Sequence, residues 1–391
     1  MSVPDKYKKM GDFKDYYTGK KRAPIFTIFI GGNHEASTYL EELKYGGFVA
    51  PNIYYMGRSS VVWYKGLRIG GLSGIYSDHD FMVMNKSEYD LQRGKRDIRA
   101  VYHYRKDDFM KLRILDRCNQ MVMVSHDWPE GIYNYGNLQQ LLSNKPFFKA
   151  DIQKKCLGSP FNMQLLQSIR PAQWFSAHLH VRFTASVPWN NFPTKRAADE
   201  CTDQVNKKPK LCDENEIELD IEEGNSVGES NEIELSFDSE EDVQPTVKVE
   251  EKPTKFLSLD KCLPRRRYLE FIDVDMTDSK HISRKEKSEP LYYDEEYIAA
   301  MKTIEKYKDL IDKLEFSELL DLPTASENEL KAEKDKMKLE FQKMEIEEYK
   351  RIFNIPMNSF VKTADAEANK FIKHVNPQTT RFEENFLQNL G

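Results

Sequence analysis

Short apolar runs that end in glycine or polar residues dominate the first half of the chain. Pro24–Ile30 is almost wholly apolar and stops at Gly31-Gly32, the pattern of a strand buried on both faces. Val61–Tyr64, then Lys65-Gly66, then Leu67–Leu72 predicts a hairpin, because two turn-forming residues separate two β-prone runs. Ile114–Arg117 reads as the close of a helix, and Met121–Val124 as another buried strand. Met163–Ile169 predicts a short helix before Pro171, with Gln173–Ser176 a further strand. Strands alternating with helices predict a layered α/β architecture. After a gap the strand-like pattern resumes at Lys255–Leu259 and Arg267–Ile272, and Glu327–Phe353 predicts one long, exposed helix in a Glu/Lys/Leu-rich end region.

Composition divides the chain more sharply. The 391 residues carry 58 Lys and Arg against 64 Asp and Glu, a net of −6. Residues 1–196 hold 29 Lys and Arg against 17 acids, a net of +12, which suits an anionic partner. Residues 211–251 hold one Lys against 16 acids and few aromatics, too little apolar surface for a core. Four segments are expected: a catalytic domain over 1–190, a disordered acidic linker over 191–252, returning strands over 253–280 and a helical region over 281–391. No apolar run is long enough to span a membrane, and Met1–Lys6 lacks the apolar core of a secretory signal. The five cysteines show neither disulfide nor zinc-site spacing, so a reducing compartment is expected. Lys195-Arg196 followed by Lys207–Lys210 has the form of a bipartite nuclear-import signal, which points to the nucleus, with cytoplasm the other compartment.

Three polar motifs stand directly after buried runs: Gly31-Gly32-Asn33-His34-Glu35, Ser125-His126-Asp127-Trp128-Pro129, and Ser176-Ala177-His178-Leu179-His180. Ligands of open α/β sheets gather at the carboxyl ends of strands. Singly, each motif also describes a turn with an incidental histidine. Together they place four of only eight histidines at strand ends. An amide oxygen with imidazoles suits a divalent ion such as Mn2+, Fe2+ or Zn2+. In extended backbone, His178 and His180 would share a face.

The order Gly32-Asn33-His34-Glu35, Ser125-His126-Asp127, Ala177-His178-Leu179-His180 resembles the later motifs of the calcineurin-like metallophosphoesterases. Asn52–Gly57, Leu72–Tyr76, Val181-Arg182-Phe183 and Leu259–Arg267 narrow the likeness to the RNA lariat debranching enzyme family. The resemblance implies a metallophosphoesterase-like β-sandwich flanked by helices, and hydrolysis of the 2′–5′ phosphodiester of branched intron RNA, with no membrane or stable DNA partner. It implies Asn33, His126 and His178 as ligands of one ion, His180 as a ligand of a second, and His34 as general acid. The segment Ser73–Arg105 coincides with the family's recognition loop, with Tyr76, Arg99, Tyr102, His103 and Arg105 as substrate contacts. Aromatics interleaved with Arg suit unstacked bases and phosphates.

The family opens with a strand ending in Cys-x-His or Asp-x-His and a second ending in Gly-Asp, and neither is found here. Gly11-Asp12 lies in a Lys-rich stretch with no strand before it. The fold is therefore expected to be N-terminally incomplete, by roughly fifty residues on the length of a crossover unit and strand. The alternatives are an inactive or RNA-binding chain, or a generic metallophosphoesterase.

Overall fold

The structure is a computed structural model and describes residues 9–83, 100–190, 251–321, 323–364 and 374–388. Residues 191–250, including the acidic linker and the import-signal pattern, lie outside the described residues. Met1–Trp189 and Lys252–Gly391 form one compact unit.

Among the described residues ten strands run in chain order: β1 Thr27–Phe29, β2 Gly47–Ala50, β3 Ile53–Tyr55, β4 Ser59–Tyr64, β5 Leu67–Leu72, β6 Val122–Ser125, β7 Gln173–Ser176, β8 Phe183–Val187, β9 Thr254–Ser258 and β10 Leu291–Tyr293. Among the described residues they build two sheets, a three-stranded one in the order β1-β3-β2 and a seven-stranded one in the order β10-β4-β5-β6-β7-β9-β8. The central pairs β5–β6, β6–β7 and β7–β9 are parallel, and the outer pairs are antiparallel. The architecture is mixed α/β with a helical C-terminal region.

The β4–β5 hairpin forms as the pattern predicts. Its two-residue turn needs positive φ at both positions, and Lys65 and Gly66 supply φ of 50° and 85°. The small sheet lies over the large one where Gly71 leaves room: a Cβ there would stand 2.7 Å from Met56 Sδ and 2.9 Å from Ile30 Cγ2. On the helical side, α1 (Lys106–Arg113) packs on β4 and against α2 (Pro160–Ile169) and α3 (Glu295–Lys306). Pro160 at the first turn of α2, with Ser159 Oγ accepting from Asn162 N at 3.2 Å, fixes where that helix starts. Next come α4 (Ala325–Gln342), α5 (Ile346–Phe353) and α6 (Pro377–Phe386). Asp294 joins strand to helix: Oδ1 accepts from Tyr297 N, capping α3, while Oδ2 accepts from Trp63 Nε1 and Arg68 Nε, each at 2.8 Å.

Four expectations need correction. The Pro24–Ile30 run is not buried on both faces. Only Thr27–Phe29 is strand, it pairs with β3 alone among the described residues, and Ile25 is 76% exposed. Among the described residues Arg267–Ile272 forms no regular element and joins no ladder, and Phe271 is 93% exposed; alternation of side chains does not by itself supply a neighbouring strand. The predicted helix over Glu327–Phe353 breaks between Gln342 and Ile346, where Glu345 at ψ 143° is extended and starts a new helix. The helix expected to close over Ile114–Arg117 ends at Arg113, with Ile114 as its cap.

Candidate metal centre

Each proposed ligand hangs from the carboxyl end of a strand. Asn33 and His34 follow β1, His126 follows β6, and His178 and His180 follow β7. Hydrogen bonds lock the last two loops together: Ala177 N donates to His126 O at 3.1 Å, and Trp128 Nε1 donates to Ala177 O at 2.9 Å. Beneath them Ser125 Oγ donates to Asp127 O at 2.7 Å, and Trp174 Nε1 donates to Ser125 Oγ at 2.9 Å.

Three of these side chains approach one another. His126 Nε2 lies 3.1 Å from Asn33 Oδ1, and the His126 and His178 rings are 5.0 Å apart. Gly32 permits that approach, since a Cβ there would come within 2.5 Å of His126 Cε1. Among the described residues, His34 and His180 each hold a buried Nδ1 with no hydrogen-bond partner. The backbone is not extended between His178 and His180. Both sit in the left-handed region, at φ 60° and 50°, around a tight turn in which Leu179 N donates to Ala177 O at 2.7 Å. Such positions are costly for side chains other than glycine and concentrate at functional sites. The buried Leu179 anchors the turn between them.

Burial, reinforced by the other imidazoles, pushes His126 well below its ordinary range and His178 down to about 4. Burial does the same for His180, also to about 4, with Lys261 adding to it. Neutral imidazole is the form that ligates a metal ion. In kind, then, Asn33, His126 and His178 suit one divalent ion and His180 a second: an amide oxygen and neutral nitrogens, with His180 Nδ1 lacking a hydrogen-bond partner among the described residues. The set is uncharged. Among the described residues no three His, Cys, Asp or Glu side chains meet at one point. The two carboxylates next to these motifs in sequence are engaged elsewhere. Asp127 accepts from Tyr76 N at 3.2 Å and Trp128 N at 3.0 Å, and burial pushes it up to about 6. Glu35 is held by the Gly32 backbone.

The residues expected to contact substrate are placed differently. The Tyr76 ring packs against Phe81, Phe161 and Tyr104. His103 Nδ1 donates to Asp80 Oδ2 at 2.6 Å, and Arg105 Nη1 lies 3.3 Å from Asp80 Oδ1. Both side chains are buried and engaged in holding the two feet of the Ser73–Arg105 segment together. Tyr102 and His103 line a cavity of about 30 Å³ behind Gly31-Gly32, whose wall includes the Arg58–Glu41 ion pair. Arg99 lies outside the described residues. Sequence reasoning missed Asp80, whose partners stand 23 and 25 positions away, although its place in an aromatic- and Arg-rich segment was a signal.

The sequence profile of the lariat debranching enzyme C-terminal domain matches residues 251–388. The lariat debranching enzyme of Saccharomyces cerevisiae is 41% identical over 321 residues, covering 81% of this chain and 75% of that protein. Lariat debranching enzyme A of Xenopus laevis is 39% identical over 390 residues, 98% of this chain and 60% of its own length. The Schizosaccharomyces pombe enzyme is 34% identical over 418 residues, 98% of this chain and 85% of its own. With these likenesses running through both the strand-end motifs and the helical end, the chain belongs to the lariat debranching enzyme family.

Proposed function

We propose that this chain hydrolyses the 2′–5′ phosphodiester at the branch point of excised intron lariat RNA, supporting intron turnover in the nucleus. The observation that carries the reading is the convergence of Asn33 and His126, 3.1 Å apart, with His178 at the ends of three separate strands. Family membership supplies the substrate class. Asn33, His126 and His178 would hold one divalent ion, Fe2+, Zn2+ or Mn2+, and His180 would turn toward a second. Such an ion supplies Lewis acidity to the phosphoryl group and acidifies water.

The chain's own residues do the rest. Asp127 fixes the loop that carries His126, through its bonds to Tyr76 N and Trp128 N. His34, beside a ligand and with a free Nδ1, is placed to give a proton to the leaving 2′-oxygen. A new bond forms between water oxygen and phosphorus while the bond to the 2′-oxygen breaks. The products are a linear RNA with a 5′-phosphate and a free 2′-hydroxyl.

The test incubates the full chain with each metal in turn and with three substrates: a 2′–5′ branched oligoribonucleotide, a linear 3′–5′ RNA and an aryl phosphate. Cleavage confined to the branch is expected. Equal cleavage of linear RNA makes it a generic phosphoesterase, and RNA binding without turnover under any metal makes it a binding protein. His34→Gln is expected to lower turnover by about 10²–10⁴-fold, the range for loss of a general acid, with metal content unchanged by elemental analysis. Loss of metal in that variant would make His34 a ligand.

A further inference from the structure

β7 and β9 run parallel, with Ser176 opposite Ser258. Their carboxyl ends open at one end of the sheet, β7 into His178 and His180, β9 into Asp260 and Lys261. The chain after β9 folds back into a loop closed by Asp260 N donating to Arg267 O at 3.0 Å, with Arg265 at φ 64°. Asp260 serves the loop itself: Oδ1 accepts from Lys261 N at 2.9 Å, and Oδ2 lies 3.6 Å from Arg266 Nη1. The loop thus carries Lys261, Arg265, Arg266 and Arg267 with Asp260 as its one carboxylate.

A second element adds to this charge. The turn between the helices Leu138–Asn144 and Phe148–Gln153 carries Lys145, which burial and then Lys261 and Arg266 push down, with Asp260 opposing. Among the described residues neither lysine forms a salt bridge, although Asp260 attracts Lys145. Lys145 Nζ stands 5.6 Å from the ring centre of Phe147, a side chain 56% exposed.

Facing cations repel one another, and a polyanion relieves the repulsion while releasing its own counterions. An exposed aromatic ring beside them offers a face on which a base can stack.

We propose that Lys145, Phe147, Lys261 and Arg266 form a track that holds a single-stranded RNA arm as it leaves the His178–His180 side of the site. The debranching reading supplies the identity of that arm; the track itself is a matter of binding and is read without turnover.

The experiment measures fluorescence anisotropy of the full chain with a labelled linear RNA of about twelve nucleotides, within the length range such grooves accept, across a series of KCl concentrations. In K145Q/K261Q/R266Q the slope of log affinity against log salt is expected to fall by about two, near 0.7 for each lost phosphate contact. K145R/K261R/R266K keeps the charges and is expected to keep the slope. F147A is expected to weaken binding about fivefold with the slope unchanged, as for one lost stacked base. An unaltered slope in the glutamine variant, or no binding of the linear RNA by the unsubstituted chain, overturns the track. A chain that cleaves no branched RNA but shows the lost slope loses the debranching reading and keeps the track. One that cleaves the branch with the slope unmoved keeps the reading and loses the track.

Discussion

Gly32 is where the approach of Asn33 to His126 is decided. A methyl at that position would meet the His126 ring at 2.5–2.9 Å, so Gly32→Ala must push the imidazole aside. If His126 holds the ion as proposed, displacing it in this way is expected to weaken metal retention by about tenfold, as for loss of a group that orients a ligand, and equilibrium dialysis reads it. A second titration lies far from the site. His281 stacks on Trp63 with ring centres 4.0 Å apart, caps the helix Ile282–Lys285, and is pushed by burial from 6.5 down to about 4. The unfolded chain therefore binds a proton between these values that the folded chain refuses, and stability falls as pH drops through that window. His281→Asn keeps a capping acceptor and removes the titration. Its loss of stability between pH 7 and pH 5 is expected to be smaller by about 2 kcal/mol, measured by urea unfolding at both values. The four strand-end residues were legible because apolar runs marked where strands stop. The roles of His103 and Arg105 were not, because burial against Asp80 depends on a fold that brings distant positions together.

At the scale of elements, the small sheet treats its two edges differently. The β2 edge is closed by a side chain from α6: Gln378 Oε1 accepts from Phe48 N at 2.7 Å, and Nε2 donates to Phe48 O at 3.0 Å. One amide thus stands in for a neighbouring strand, satisfying both main-chain groups of a buried residue. Gln378→Leu removes both partners and is expected to cost about 1–3 kcal/mol, the penalty of unsatisfied buried groups, read as a lower urea midpoint. The β1 edge has no such cover among the described residues. The hairpin and β7 were readable, since turn chemistry and β-prone residues agreed there. Edges were not. Pro24–Ile30 is as apolar as a central strand, and Arg267–Ile272 alternates like one, but what each pairs with is set by other parts of the chain. The break between α4 and α5 was equally hidden, because no proline or glycine marks it.

For the whole molecule, the question is whether the helical end folds with the sheet or apart from it. Composition suggested a separate region, yet β10 adds to β4, and the seam behind it is a buried ionic network. Arg68 on β5 donates from Nε and Nη2 to the two Asp294 oxygens at 2.8 Å and from Nη2 to Glu296 at 2.9 Å. Lys334 from α4 reaches Glu296 at 2.7 Å. Three residues, Leu-Tyr-Tyr, were too short a strand to stand out before the helix they precede. A paired charge in such a network is replaceable, but one partner alone is not: Arg68→Met would leave Asp294 buried without its cation, an expected cost of about 3–5 kcal/mol. Because all four tryptophans, Trp63 at the seam among them, lie before residue 190, fluorescence reports the sheet while far-ultraviolet circular dichroism reports the helices. If sheet and helical end are one cooperative unit, both signals move to the same lower urea midpoint in the variant. A fluorescence transition that shifts alone, leaving the helical signal where it was, would show that residues 295–386 fold independently of the sheet they cover.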